Sequence, residues 1–206
     1  MKALTETTVA TLILVISCGM GRSEPLSVQT NSVNLHNEDD QINQVGSLIF
    51  QGGLNLTSLD PRFGGFSGLT ISADGRRLSA VTDRGYWVHF RPALVSTGRL
   101  TGIDDAQIGR LQNLGGKPPG AKRDSDAESL IMIDGGFAVS FERRHRLWLY
   151  RGSPDPFRAR PTEIALPALT RAIPANKGVE ALARLRDGRL IAIAENFPKD
   201  APLAQG

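Results

Sequence analysis

Acidic residues recur at two positions of a repeated pattern, and their type and spacing are the strongest indication of chemistry in this 206-residue sequence. Glu128 and Glu180 stand immediately before a short apolar segment, where an earlier copy of the pattern has Ser67. A second acidic residue follows the next apolar segment in all three copies: Asp83, Glu142 and Glu195. Carboxylates gathered in one place repel one another unless cations neutralise them. The pattern therefore predicts an acidic site that needs a positively charged partner.

Two kinds of partner fit such a site. Ca²⁺ takes roughly six to eight oxygen ligands in a flexible geometry. Further oxygen ligands are available at Asp124, Asp126 and Asn196. Alternatively, neighbouring arginines neutralise the carboxylates: Arg84, Arg143 and Arg144. The residues themselves leave both interpretations open.

Several common kinds of active site are excluded because their motifs are missing. The segment Gly65–Leu69 lacks the second glycine of a G-x-S-x-G nucleophile elbow. The three histidines have no zinc-site spacing, and a single cysteine cannot build a cysteine site. No Lys/Arg run with interleaved aromatic residues is present, so we expect no nucleic-acid partner. Carboxylate, metal or arginine chemistry remains.

Charge is unevenly distributed along the chain. The formal net charge of +3 divides into −4 for residues 1–60 and +7 for residues 61–206. A basic body of this kind suits an anionic small molecule, a polyanion or an anionic membrane surface, and an ordinary solvated surface is the alternative. An anionic small-molecule substrate is therefore compatible with the charge distribution.

The elements that must position the acidic residues are β-hairpins. Three segments share the order apolar strand, Asp-Gly or Gly-Gly turn, apolar strand, acidic residue: 67–84, 128–143 and 180–196. Asp-Gly between alternating apolar residues favours a type I′ hairpin turn, in which both central residues have positive φ. The start of one strand and the end of the next meet at the same edge of a hairpin. We therefore expect the carboxylates on one rim.

The spacing of the hairpins predicts an all-β fold, a partial β-propeller. The equivalent leucines Leu69, Leu130 and Leu182 are 61 and 52 residues apart, the length of a four-stranded blade with long loops. A sandwich with three similar hairpins is the alternative. Propellers close with roughly four to eight blades. About three blades are accounted for, and the third copy reaches Asn196 without its outer strands, so we expect an incomplete propeller.

The first residues are typical of an export signal. The apolar run Val9–Ser17 is too short to cross a bilayer, and Val15–Cys18 resembles a lipobox, in which the cysteine is lipidated. Simple cleavage after residues 20 to 24 is one alternative, and a mis-assigned start codon or a buried strand is another. We predict a signal peptide or lipoprotein signal over 1–24, a polar tether or loosely attached first strand over 25–45, and the propeller domain over 46–206. The location is then periplasmic or secreted, with membrane contact only through a lipid on Cys18.

Four blocks of the sequence resemble a known family in the order that family shows. They are FGGFSGLTISADGRRLSAVTDRGYW, GRLTGIDDAQIGRLQNLGGKP, DSDAESLIMIDGGFAVSFERRHRLWLY and NKGVEALARLRDGRLIAIAEN. They are similar to the bacterial phytase-like family, labelled "esterase-like activity of phytase", over about residues 46–197. The family usually has D-A-E-G-L where this chain has Asp126–Leu130 with serine in place of glycine.

The resemblance implies a six-bladed phytase-like propeller, of which about three blades are present, with Ca²⁺ as the cofactor. Acidic residues around the propeller mouth would bind the calcium, which in turn holds phosphate. By position, the metal ligands would be Asp83, Asp126, Glu142 and Glu195. Glu128 and Glu180 would orient the attacking water, and Arg84 and Arg143 would hold the anion.

The sequence therefore predicts an exported, calcium-dependent hydrolase of phosphomonoesters or related esters. Two alternatives stay open. One is a non-catalytic exported propeller that binds a ligand or partner at its mouth, and the other is an inactive truncated gene product with exposed strand edges.

Overall fold

The computed structural model of the chain describes residues 23–133, 135–152 and 155–196. The predicted export signal with Cys18 lies outside these residues, as does Asp134 of the second hairpin turn. The described chain is almost entirely β, with one short helix, α1 (Lys122–Ser125), and two 3-10 turns at Pro156–Arg158 and Ala168–Ala172. Its strands, numbered in chain order, are β1 (Glu24–Pro25), β2 (Gln29–Val33), β3 (Gln44–Val45), β4 (Leu48–Ile49), β5 (Gly53–Thr57), β6 (Phe66–Ile71), β7 (Leu78–Thr82), β8 (Tyr86–Leu94), β9 (Leu100–Arg110), β10 (Ala127–Ile133), β11 (Gly136–Phe141), β12 (Arg146–Arg151), β13 (Thr162–Ile164), β14 (Val179–Arg184) and β15 (Leu190–Ala194).

Three antiparallel sheets follow one another along the chain as blades. The first has the order β1-β9-β8-β7-β6, the second β10-β11-β12-β13, and the third consists of β14 and β15. In the described residues each blade begins with its innermost strand and continues outward, except that β1 joins the outer edge of the first blade. The hairpins predicted from the repeat, β6–β7, β10–β11 and β14–β15, are confirmed.

The innermost strands lie side by side, as they do around the axis of a propeller. β10 contacts β6 on one side and β14 on the other. The approach of β6 to β10 is so close that a Cβ on Gly68 would lie 2.8 Å from the backbone nitrogen of Leu130. The prediction of an all-β, partial propeller is confirmed, since the sheets form successive blades without closing a ring in the described residues.

The hydrophobic core divides into layers between the blades because strand residues alternate between the two faces of a sheet. Between the first and second blades, Val81 and Trp87 pack with Phe137, Val139 and others of the largest cluster. Ala138, which lies between Phe137 and Val139 on β11, faces the other side of the sheet. It belongs to the cluster between the second and third blades, against which Leu182 packs. The strands are therefore held in register by burial on both faces.

The segment predicted as a polar tether contains paired backbone. Pro25 of β1 lies opposite Gln107 of β9, and the amide of Leu26 donates a hydrogen bond to Ala106 at 2.8 Å. Leu26 is 7% exposed and packs in the core of the first blade. β2 pairs with β5 over its whole length. This part of the chain is therefore attached to the first blade by an outer-edge strand.

The turns of the first and third hairpins differ from the predicted type I′. Gly75 and Gly188 have positive φ of 70° and 89°, whereas Asp74 and Asp187 are not among the residues with positive φ. The amide of Gly188 donates to Leu185 O at 3.0 Å, which is a type I turn followed by a left-handed glycine. The predicted turn type was wrong because the loops are one or two residues longer than the two-residue loop that type I′ requires.

Candidate functional site

Each of the three hairpins carries a β-bulge at the start of its inner strand. In the first, Phe66 pairs with Thr82 and Gly68 pairs with Val81, so Ser67 is the extra residue. The corresponding extra residues of the second and third hairpins are Glu128 and Glu180. A bulge re-aims the side chain of its unpaired residue and is common beside active sites. The two glutamates predicted to be catalytic therefore occupy equivalent, specially oriented positions.

The acidic residues at the other end of each hairpin are equivalent too. Asp83, Glu142 and Glu195 each follow the last residue of the second strand. Their amides donate equivalent hydrogen bonds across the hairpin, to the carbonyl oxygens of Gly65 (2.9 Å), Asp126 (2.8 Å) and Gly178 (3.0 Å). The predicted equivalence of these three positions is confirmed.

The bulges and strand ends bring carboxylates from different blades together. Carboxylate oxygens of Asp126, Glu128 and Glu142 lie within 4.8 Å of one another, and those of Glu142, Glu180 and Glu195 do the same. Glu142 belongs to both trios, so the second and third blades share one acidic region. Asp83 of the first blade adjoins this region, because Lys122 contacts both Asp83 and Asp126 and the charge of Asp83 contributes to raising the pKa of Glu128. We call the five residues of the two trios together with Asp83 the carboxylate cluster: Asp83, Asp126, Glu128, Glu142, Glu180 and Glu195.

A glycine at the centre keeps the carboxylate cluster compact. A Cβ on Gly178 would lie 3.2 Å from Glu128 Cγ, 3.3 Å from Glu142 Cγ and 3.3 Å from Glu180 Oε1. These distances are shorter than ordinary van der Waals contacts, so a Cβ at this position would require the three glutamates to shift by a few tenths of an ångström. The packing of the cluster thus depends on the absence of a side chain at this position.

Proximity and burial hold protons on the cluster. Burial raises the pKa of Glu128 to about 7, and repulsion from Glu180 and Asp126 adds to the effect. Burial and the neighbouring Asp126 also raise the pKa of Glu142. Without additional positive charge, the cluster is therefore incompletely ionised near neutral pH.

Three cations contact the cluster in the described residues. Lys122 Nζ lies 2.8 Å from Asp83 and 3.3 Å from Asp126. Arg143 Nε donates to Asp126 Oδ2 at 2.5 Å, and Lys177 Nζ donates to Glu195 Oε1 at 2.5 Å. Asp126 is 2% exposed and takes two of these partners. Of these three cations, Arg143 was predicted from the sequence, whereas Lys122 and Lys177 were not.

The structure separates the remaining predicted residues from the cluster. Arg84 donates from its guanidinium to Pro61 O at 2.8 Å, and its described contacts include no carboxylate. Arg144 pairs with Asp124 at 2.9 Å, so these two residues neutralise each other. The predicted neutralisation by arginines therefore holds only in part. Arg143 neutralises one carboxylate of the cluster, and Arg84 and Arg144 neutralise none of its members.

The carboxylate cluster contains more negative charges than these three cations neutralise. The six carboxylates outnumber Lys122, Arg143 and Lys177, so the fully ionised cluster carries a formal charge of −3. Asp83 Oδ1 is buried without a hydrogen-bond partner in the described chain. Carboxylate oxygens are the ligands that Ca²⁺ prefers. The donor set and the unpartnered oxygen therefore fit a calcium ion.

Comparison with known proteins identifies the family of the chain. A family model described as "Phytase-like: Esterase-like activity of phytase" matches residues 61–204. The chain belongs to the phytase-like family. The match begins after β1 and before β6, and it includes every member of the carboxylate cluster. No curated protein matches the chain at a significant level. Among the described residues of this phytase-like protein, no helix is both long and apolar enough to cross a membrane.

Proposed function

We propose that this phytase-like domain is a calcium-dependent hydrolase of phosphomonoesters or related esters. The observation that carries the proposal is the pair of carboxylate trios joined at Glu142, in a protein of this family. A site with this much uncompensated negative charge has no obvious use in folding, because like charges in close contact destabilise the folded state. A bound cation removes the penalty.

The residues that would hold Ca²⁺ are the members of the two trios, together with Asp83, whose Oδ1 has no hydrogen-bond partner in the described chain. A calcium ion bound there would supply positive charge that binds a phosphate group and stabilises the charge developing on it. The acidic cluster of the bare protein would otherwise repel an anionic substrate.

The protein's own groups then have distinct tasks. Glu128 and Glu180 project from equivalent bulges and are suited to orienting a water molecule by accepting its hydrogen bonds. Of the two arginines predicted to hold the anion, Arg143 stands at the cluster, where its side chain is 41% exposed and within reach of a ligand. Lys122 and Lys177 add two more donors at the same rim. Arg84 bonds to Pro61 and has less support for this task.

The test combines metal binding with turnover on the full chain. After treatment with EDTA and its removal, calorimetric titration with Ca²⁺ should show binding, and Glu142→Gln should abolish it because both trios lose a ligand. Glu163→Gln, an exposed glutamate of β13, is the matched control and should bind Ca²⁺ as the wild type does. Hydrolysis of p-nitrophenyl phosphate and p-nitrophenyl acetate should require Ca²⁺.

The outcomes separate the two principal interpretations. Calcium binding with calcium-dependent turnover supports the hydrolase. Calcium binding without turnover of either ester favours a non-catalytic propeller that binds ligands at its mouth. Absence of calcium binding, or equal binding by Glu142→Gln, overturns the metal site.

We also propose that the protein is exported and that Cys18 is lipidated. The support is the sequence pattern of Val9–Cys18 described above. Mass spectrometry of the chain from cells expressing the full sequence should show a mature N-terminus at Cys18 with added lipid, and Cys18→Ser should prevent this processing. An intact Met1 contradicts export, and an unmodified N-terminus beyond residue 18 contradicts only the lipidation.

A further inference from the structure

A second site lies between the first two blades, away from the carboxylate cluster. A cavity of about 710 Å³ is lined by the β6–β7 turn and the β10–β11 turn, which are at the opposite ends of the strands from the cluster. Residues of both blades contribute, including His89 and Phe90 from β8 and Met132 from β10. Neither the carboxylate cluster nor the proposed hydrolysis uses this cavity.

Part of the cavity wall is apolar and rigidly packed. Phe137 lines it and is only 4% exposed, and its ring stacks on Phe157 with 4.4 Å between centroids and 10° between planes. Met132 and Pro156 line the same cavity. Met132 and Pro156, with the small exposed part of Phe137, give one side of the cavity an apolar surface that suits an apolar group.

The same cavity is lined by four arginines and three aspartates. Arg91 is neutralised by Asp105 at 2.6 Å. Asp74 accepts hydrogen bonds from Ser72 Oγ (2.5 Å) and from the amide of Arg76 (3.1 Å), which with the nearby Arg76 charge lower its pKa. In the described part of the chain, the guanidinium groups of Arg76 and Arg77 form no ion pair within 4 Å. These two exposed arginines are therefore available to an anion.

Three further polar residues resemble a hydrolytic triad but do not form one. Ser79 Oγ lies 2.9 Å from His89 Nδ1, and His89 Nε2 lies 3.4 Å from Asp155. Ser79 is fully buried, so no substrate can reach its hydroxyl. Asp155 also accepts a hydrogen bond from the amide of Phe157 at 3.0 Å. The network fixes the imidazole and the cavity wall, and the cavity is suited to binding rather than to covalent catalysis.

We propose that this cavity binds a small aryl anion, a molecule with one aromatic ring and one phosphate or carboxylate group. The ring would pack against Phe137 and Met132, and the anionic group would accept hydrogen bonds from Arg76 and Arg77. Because the cavity wall includes both blades, the bound molecule would also stabilise their packing. This site requires neither calcium nor the carboxylate cluster.

The experiment measures binding to the full chain in EDTA, so that a metal at the carboxylate cluster cannot contribute. Phenyl phosphate is the main probe, inorganic phosphate tests the anion alone, and benzyl alcohol tests the ring alone. We expect phenyl phosphate to bind at least about tenfold more tightly than either partial probe, because each lacks half of the contacts. It should also raise the melting temperature.

Variants locate the binding. Arg76→Gln combined with Arg77→Gln should weaken phenyl phosphate at least about fivefold, since two charged hydrogen bonds are lost. Arg99→Gln is the matched control, an exposed arginine in the β8–β9 turn of the same blade, and should bind normally. Both proteins should melt as the wild type does without ligand.

Three results overturn the proposal. The first is equal affinity for phenyl phosphate and inorganic phosphate. The second is unchanged affinity of the double variant for phenyl phosphate, and the third is binding of phenyl phosphate only when Ca²⁺ is present. The last would assign the phosphate to the carboxylate cluster. Loss of calcium binding at the cluster would leave this inference unaffected.

Discussion

Replacing Glu128 with glutamine should stabilise the metal-free protein, although it removes a residue proposed to be functional. Glutamine has nearly the same shape but no charge. The pKa of Glu128 is raised from 4.5 to about 7, mainly by burial and then by Glu180. At about 1.4 kcal/mol per pKa unit, this corresponds to at most about 3 kcal/mol, which solvent screening of a partly buried side chain reduces to about 1–2 kcal/mol.

The effect has a definite pH dependence. A carboxyl group with a raised pKa in the folded state favours folding below its unfolded value, and this advantage is lost as the pH rises through the folded value. For Glu128 the window runs from 4.5 to about 7. At pH 8 the wild type is destabilised by the ionised side chain, whereas at pH 4 to 5 it is largely protonated and should resemble the variant.

Urea unfolding in EDTA at pH 5 and pH 8 tests this reasoning. At pH 8, Glu128→Gln should be more stable by about 1–2 kcal/mol, or about 2–8 °C in melting temperature for a chain of this size. At pH 5 the difference should shrink toward zero. The exposed Glu163→Gln should show no such change. Equal stability at pH 8, or a gain of the same size at both pH values, would refute the argument.

Three further predictions concern the blades and the cluster. Gly68→Ala should cost about 1–3 kcal/mol in urea unfolding, because its Cβ would lie 2.8 Å from Leu130 N, whereas Gly120→Ala, with open space around it, should be nearly neutral. Phe157→Ala should cost about 3–5 kcal/mol because Phe157 is fully buried, and a loss below about 1 kcal/mol would contradict its place in the core. Lys122→Gln should lower the stability of the metal-free protein by less than about 1 kcal/mol, since Lys122 is 51% exposed. The same variant should bind Ca²⁺ more tightly in calorimetry because a competing cation is removed, and weaker binding would count against the metal site.

The hairpins and their order were predictable because local patterns determine them. β7 and β11 are short, mostly apolar segments bounded by turn residues, which is typical of strands buried on both faces, and a glycine at each turn permits positive φ. The recurrence of one pattern three times then indicated blades. The turn type was not predictable from Asp-Gly alone, because it depends on which residues the strand register pairs, and that is decided by burial on both faces.

The carboxylates were predicted to share a rim, but their relative importance could not be read from the sequence. Glu128 and Glu180 stand out in the structure because each is the extra residue of a bulge. A β-bulge shifts the strand pairing by one residue, and this shift has no reliable sequence signature. It appears only as an irregularity in the pattern of apolar residues. Ser67 at the equivalent position of the first hairpin explains why the acidic trios lie at the second and third blades.

The ion-pair partners of the cations depend on tertiary packing and could be predicted from neighbouring residues only in part. Arg143 was identified because it directly follows Glu142, but Arg84, which follows Asp83 in the same way, bonds to Pro61 instead. Lys122 is 39 residues from Asp83 in sequence. It reaches this carboxylate because α1 lies between β9, the last strand of the first blade, and β10, the first strand of the second blade. A repeated sequence pattern thus predicts the positions of residues that occur in every blade. A neutralising side chain such as Lys122 occurs only once and comes from a connecting segment, whose position depends on how two blades pack together. The charge balance of such a site, and with it the need for a metal ion, is therefore a property of the assembled blades.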